Sequence, residues 1–179
     1  MSSETTEQTD DARLRVVFAG GHGQIALLAQ RRLAAEGHQP VGLIRKPEYA
    51  DDLRAVGSEP VVFDLENQTA AELAELVRGA DDFVVGSTEV FQIYLRAKAE
   101  ADEIIRSRDL DWTIVRPGGL SDDPASGHVL IAERTGRGQI PRDDVAAVVT
   151  RLVVDGTGRR TQFELISGET PIAEALASL

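Results

Sequence analysis

Arg15-Val16-Val17-Phe18-Ala19-Gly20-Gly21-His22-Gly23-Gln24-Ile25-Ala26 is the stretch on which the reading of this chain turns. An apolar run of strand length ends in glycines at 20, 21 and 23. Apolar residues then recur at helical spacing from Ile25 to Glu36, and Gly37 closes the helix. A glycine-rich turn between a strand and a helix is the setting in which such a turn holds phosphate. Gly20 permits the tight turn, and Gly23 lets backbone approach a pyrophosphate with no Cβ in the way. Ala26 is small enough for close packing of helix on strand. The helix start, Gln24 and Ile25, offers free N–H groups and the positive end of the helix dipole. His22 flanks the pyrophosphate by position. A dinucleotide seat is expected here.

Outward from this stretch the same alternation repeats. Strands are predicted over 40–44, 60–63, 82–86, 112–115 and 162–166. Helices are predicted over 48–56, 69–78, 89–108 and 143–154. Thr69 and Glu72 form a capping box at the start of the second of these. The stretch after Gly119 reads as irregular. Thr170 and Pro171 read as the cap and first turn of a final short helix. Four successive strand–helix alternations, with strands apolar throughout, argue for an α/β fold with a parallel sheet covered on both faces.

Composition bounds the rest. The chain has 179 residues, the size of one domain. Residues 1–12 are polar and acidic and read as a disordered tail, with 13–179 as a single domain. The tail does not read as a signal peptide, and no apolar run approaches the ~18 residues of a membrane span. A cytoplasmic protein without a membrane partner is expected. There is no cysteine, hence no disulfide, and the three histidines are scattered, so no metal site is expected. Thirty acidic against nineteen basic residues give a net charge of −11, which argues against nucleic acid as a partner. Only two of the nineteen basic residues are lysines, Lys46 and Lys98.

Three further groups of residues carry chemistry. Arg45-Lys46 follows the second strand, where an NAD site places an acid for the ribose 2′-hydroxyl. A basic pair there suits a 2′-phosphate, so NADP(H) is expected in preference to NAD(H). Asp64, after the third strand, meets the adenine edge through its side chain or the amide of Leu65, or serves simply as a turn residue. Tyr94 and Lys98 lie one helical turn apart on one face. A nearby ammonium lowers a phenol's pKa and readies it to protonate a carbonyl oxygen as hydride arrives at its carbon. Lys98 also reaches the ribose hydroxyls of the nicotinamide half. Arg116-Pro117-Gly118-Gly119 bends the chain at the ligand-binding edge of the sheet, where the backbone of Pro117 and Gly118 faces the nicotinamide amide. Gly86, ending the fourth strand, is a further cofactor contact.

With these residues in place the chain resembles the atypical short-chain dehydrogenase/reductases of the NAD(P)H-binding, biliverdin/flavin-reductase-like type. The likeness covers nearly everything after residue 12. It rests on V-V-F-A-G-G-H-G-Q-I-A, L-I-R-K-P, Asp64-Leu65, Y-L-R-A-K-A-E-A-D, D-W-T-I-V-R-P-G-G-L-S-D-D-P and R-D-D-V-A. It implies a Rossmann-like, doubly wound parallel sheet, a nicotinamide cofactor, and Tyr94 and Lys98 as the catalytic pair. A small carbonyl, quinone or flavin-like substrate is expected, because little chain follows Pro117 to build a substrate domain. A protein that binds the cofactor without turnover is the alternative.

The chain departs from the family in one place. The family carries a further helix and strand before its Tyr-x-x-x-Lys helix, ending in a serine that holds the substrate oxygen. Here the fourth strand ends at Gly86 and Tyr94 follows eight residues later. A helix and a strand need roughly 20 residues or more. The sheet is therefore expected to be shorter by about one helix–strand unit, with Ser87 standing for the family's serine. A homodimer covering the exposed sheet edge is one expected consequence.

Overall fold

The computed structural model describes residues 13–85 and 111–179. Its first sheet is built around β1 (Arg15–Ala19), whose last four residues are all buried. On one side of β1 lie β2 (Gln39–Ile44) and then β3 (Glu59–Val62), and on the other lies β4 (Asp82–Val85). All four are parallel, in the order β3-β2-β1-β4, with Val17 level with Val41 and with Phe83. The chain thus winds outward from β1 in one direction and returns to its other side for β4. Such a reversal opens a crevice at the carboxyl ends of the strands, and the glycine turn sits there.

The helices of this half follow the predicted pattern. α1 (Gln24–Ala35) buries Ala26, Ala29 and Leu33 against Val16 and Phe18. α2 (Ala50–Ala55) follows a short 3₁₀ turn over Pro47–Tyr49. α3 (Ala70–Leu76) starts at the expected capping box, in which Thr69 and Glu72 each satisfy the other's backbone N–H. Those bonds from Thr69 hold the Glu72 carboxyl below its ordinary pKa.

The second half is a mixed sheet. β5 (Thr113–Pro117) is parallel to β9 (Thr161–Ser167), β7 (His128–Ala132) is antiparallel to β9, and β10 (Thr170–Pro171) is antiparallel to β7. β6 (Gly119–Ser121) and β8 (Gln139–Pro141) form a separate parallel pair. Two expectations need correction here. The stretch after Gly119 is not irregular: it holds three of these strands. Thr170 is not a helix cap either. It and Pro171 are extended and paired with β7, and α5 (Ile172–Leu176) begins after Pro171 without a side-chain cap.

Among the described residues no ladder joins β4 to β5; the first sheet ends at one and the second at the other. α4 (Arg142–Asp155) spans this break. Its Ala146, with Val149, Val153 and Val154, packs on the cluster of Val16, Phe18 and α1. Its Val145, Val148 and Leu152 pack with Val129, Phe163 and Leu165 of the second sheet and with Ile140 of β8. Arg32 of α1 meets Asp143 at 2.8 Å, and Glu36 pairs with Arg151. At the start of α4, buried Asp144 accepts hydrogen bonds from Ser126 N at 2.9 Å, Ser126 Oγ at 3.0 Å and Gly127 N at 2.9 Å. Three donors around one buried carboxylate offset much of the cost of taking its charge out of water.

A second buried polar group fixes the glycine turn. Gln30 of α1 is fully buried and donates from Nε2 to the carbonyl of Gly21 at 2.7 Å. Its Oε1 accepts from Ser58 Oγ at 2.6 Å. Gly21 N donates to Leu43 O at 2.9 Å. A Cβ on Gly21 would lie 2.6 Å from Gly42 Cα, and one on Gly42 would collide with the Leu53 side chain and lie 2.7 Å from Gln30 Oε1. The turn therefore lies flat on β2 because both facing residues are glycine. Gly42→Ala is expected to cost roughly 1–3 kcal/mol, as overpacking in a filled core does. A urea denaturation midpoint unchanged from wild type would contradict this packing.

Candidate functional site

Gly20 leaves β1 with φ +74°, a conformation that glycine adopts without strain, and Gly23 N donates back to Gly20 O at 3.0 Å. Gly23 is the N-cap of α1 and has no side chain to cap with, and the first helical turn has no acidic residue. Nothing in the helix's own sequence competes for the amides of Gln24 and Ile25. These are the features a pyrophosphate seat requires: a backbone turn held flat on its neighbour, an uncapped helix start, and no Cβ in the approach. The residues fit the group that the sequence implies.

At the end of β2, Arg45 and Lys46 are both about half exposed. Arg45 lies 3.9 Å from Glu66, and Lys46 lies 3.6 Å from Glu48. Such exposed pairs are loose and exchange readily for a stronger anion. Asp64 serves its own turn: Oδ1 accepts from Glu66 N at 3.0 Å and Oδ2 from Asn67 Nδ2 at 2.7 Å. The bond from Asn67, then that from Glu66, holds its carboxyl below the ordinary range. The neighbouring Leu65 is exposed. His22 meets Tyr49 and Asp52, contacts that sequence reasoning did not foresee.

The second half contributes a cleft of about 160 Å³ lined by Arg116, Pro117, Gly118, Thr135, Gly136 and Glu164. Its floor comes from β5 and β9, where Arg116 and Glu164 are register partners. Its wall is the turn 133–138, laid against the Pro117-Gly118 bend. Gly119 N donates to Gly138 O at 2.9 Å, and a Cβ on Gly118 would lie 2.5 Å from that same oxygen. Glu164 anchors the turn by accepting from Thr135 N at 2.7 Å and Thr135 Oγ1 at 3.2 Å. The Thr135 amide is the largest cause of a Glu164 carboxyl held below its ordinary pKa. The expected Pro117 and Gly118 thus line a cleft, and Thr135, Gly136 and Glu164 join them. No sequence signal marked those three, because the turn and the strand lie some 30 residues apart.

Tyr94, Lys98, Ser87 and Gly86 fall outside the described residues. Among the described residues no group of histidines and carboxylates is arranged to hold a metal ion, and no helix is long and apolar enough to cross a membrane.

A family model described as NAD(P)H-binding matches residues 20–88 and 81–155. The chain belongs to the NAD(P)H-binding family. The two matched segments overlap at residues 81–88, a stretch that includes β4. The uncharacterised sugar epimerase YhfK of Bacillus subtilis is 29% identical over 218 aligned positions, covering 93% of this chain and 100% of its own. Since 93% of 179 residues is about 166, about 50 of those 218 positions face no residue of this chain. A solved Bacillus halodurans structure, named for an NAD-dependent epimerase/dehydratase, is 28% identical. It superimposes with a TM-score of 0.76 over 93% of this chain and 100% of its own. The anaerobillin reductase ChuY of Escherichia coli O157:H7, 21% identical, shares the fold with a TM-score of 0.71 over 86% of this chain and 97% of its own. The family and the glycine seat together give a nicotinamide cofactor and a Rossmann-like fold.

The Glu164 anchor has a pH signature. A carboxyl whose folded pKa lies below its unfolded value contributes stability above the unfolded pKa and loses it as pH falls through the folded one. Glu164→Gln is expected to lower the urea midpoint at pH 7, with the deficit shrinking as pH falls toward 3.5. A deficit equal at both ends would show that the charge of Glu164 does not hold the turn.

Proposed function

We propose that this protein is an NADP(H)-dependent oxidoreductase of the atypical short-chain class, working in the cytoplasm on a small carbonyl, quinone or flavin-like acceptor. The observation that carries the reading is the uncapped start of α1 behind a glycine turn, with Arg45 and Lys46 directly after the adjoining strand β2 where an NAD site places an acid. Gly20, Gly21 and Gly23 with Gln24 and Ile25 hold the pyrophosphate. Arg45 and Lys46 hold the 2′-phosphate, exchanging Glu66 and Glu48 for it. Pro117 and Gly118 receive the nicotinamide amide beside the cleft, and Gly86 and Leu65 are further contacts.

The bound nicotinamide supplies or takes up hydride. In this reading Tyr94 passes a proton to or from the substrate oxygen, Lys98 tunes that phenol and anchors the ribose, and Ser87 orients the carbonyl. The sequence pattern supports these three roles. A second copy of the chain is proposed to cover the sheet edge at β4, which among the described residues pairs with β1 alone and leaves Phe83 and Val85 42% and 70% exposed.

A reading without turnover has its own observation. About 50 positions of the YhfK alignment face no residue of this chain, and we place the omission, from the sequence alone, between the fourth strand and Tyr94. One strand position is about 4.8 Å, whereas a misplacement near 1 Å costs roughly a hundredfold in rate.

Thermal-shift titrations with NADPH and NADH separate the readings. Ligand at 100 times its Kd stabilises a fold by about 2.7 kcal/mol, which is readily measured. A shift with NADPH that Arg45→Glu abolishes is expected. No shift with either nucleotide would overturn cofactor binding. NADPH oxidation against an acceptor panel, lost in Tyr94→Phe while binding survives, is expected of the enzyme; binding with no oxidation by any acceptor favours the alternative. Sedimentation at micromolar concentration is expected to give a dimer.

A further inference from the structure

The cleft of the second half holds charges of both signs, and its anion is committed to the turn above it. Arg116 and Glu164 are register partners on β5 and β9. Successive side chains on a strand alternate between faces. Val115, Phe163 and Leu165 pack in the cluster that holds Val145 and Val148 of α4, so Arg116 and Glu164 emerge together on the opposite face. The turn 133–138 lies over that face, pressed down at Gly138, where a Cβ would lie 2.7 Å from Ile166 Cδ1. The space left between strands and turn is the cleft of about 160 Å³.

Glu164 Oε2 accepts from both the amide and the hydroxyl of Thr135, and Arg134 of the same turn acts on it electrostatically. Arg116 lines the cleft beside it, and Arg134 and Arg137 stand exposed on the turn. Cleft and turn thus carry Arg116, Arg134 and Arg137 against Glu133 and Glu164, a cationic surplus in a chain whose net charge is −11. Such a surplus favours an anionic guest.

Size and shape narrow the guest further. A cavity of roughly 150 Å³ holds a benzene ring, so this cleft takes about six to eight heavy atoms, and a whole isoalloxazine is too large to enter. A guanidinium presents paired N–H donors in one plane, which match the two oxygens of a carboxylate. The Glu164 carboxylate on the floor repels a second negative charge, so a monoanionic carboxylate suits the cleft better than a dianionic phosphate monoester.

We propose that the cleft takes the carboxylate of a small oxo acid, that Arg116 selects it, and that the carbonyl of the same molecule faces the nicotinamide beside Pro117 and Gly118. This rests on the reading of the protein as an NADP(H)-dependent oxidoreductase. Reduction of such a substrate places a hydride on the carbonyl carbon and a proton on its oxygen, giving a hydroxy acid and the oxidised cofactor.

The test compares 2-oxobutanoate with 2-oxobutanamide, its uncharged counterpart of nearly equal size, by calorimetry on the full chain with and without NADP+. The acid is expected to bind about tenfold or more tightly than the amide, the size of one charge-assisted hydrogen bond. Arg116→Gln is expected to remove that preference while NADP+ affinity stays within about twofold. Arg116→Lys, which keeps the charge and loses the fork, should retain part of it. Dihydroxyacetone phosphate should bind less tightly than the acid; tighter binding would overturn the carboxylate assignment. Equal binding of acid and amide by the wild-type protein, or no binding of either, would overturn the proposal whatever the variants do. An acid preference that survives in Arg116→Gln would overturn the role of Arg116. The cleft draws its lining from between residues 116 and 164, so the acid–amide comparison is read on protein without nucleotide as well. Failure of NADP+ to bind would defeat the oxidoreductase reading, whereas an acid preference measured in its absence would still support the carboxylate site.

Discussion

Among the described residues no backbone ladder crosses from β4 to β5, and side-chain packing joins the two sheets. The contact that does this is α4 against α1 and against β7, β8 and β9 at once. A helix with one apolar stripe serves one neighbour. α4 serves two, with Ala146 and its neighbours on one flank and Val145, Val148 and Leu152 on the other. The small residue faces the close approach of α1, and the larger ones fill the space under the second sheet. The Arg32–Asp143 pair and the Asp144 network pin the beginning of the helix, and the left-handed Gly156 ends it. Register between the halves, and hence the placing of the glycine turn relative to the Pro117-Gly118 bend, follows from this packing.

The site inherits that division. The first half presents an uncapped helix start and a basic strand end, which is what an anionic dinucleotide needs. The second half presents a small cleft whose wall is fixed by a single carboxylate. Neither half alone makes an oxidoreductase site. The two must face each other, and α4 packs between them, joined by Ile25 of α1, which also touches both cores.

The strongly apolar strands and their glycine stops were legible in the sequence, since each buries a run of residues within one short window. The Thr69–Glu72 box was legible because its chemistry is local. The failures share a cause. β6 and β8 are three residues each, and β8 is fixed by burying Ile140, a long-range fact with no periodic trace. Thr170-Pro171 carries a genuine helix-start pattern, and pairing with Val129 and His128 overrode it. Gln30 reads as one polar residue on a helix face, and only the fold brings Gly21 and Ser58 to its amide. At the candidate site the glycine turn and the basic pair were read from adjacent residues. His22's partners are a turn and a helix away, and Glu164's partner Thr135 lies on another element altogether.

The break between the sheets also bears on how the molecule comes apart. Proteins open in cooperative units whose borders follow the density of buried contacts. Among the described residues the border runs along α4, which together with Ile25 of α1 packs on both clusters. Transient fraying of that helix would release the two sheets as separately ordered blocks, one carrying the phosphate seat and one carrying the cleft. Amide protons of β1 and β2 would then exchange with solvent at a rate unrelated to those of β7 and β9, and a ligand that touches both blocks would bring the two rates together.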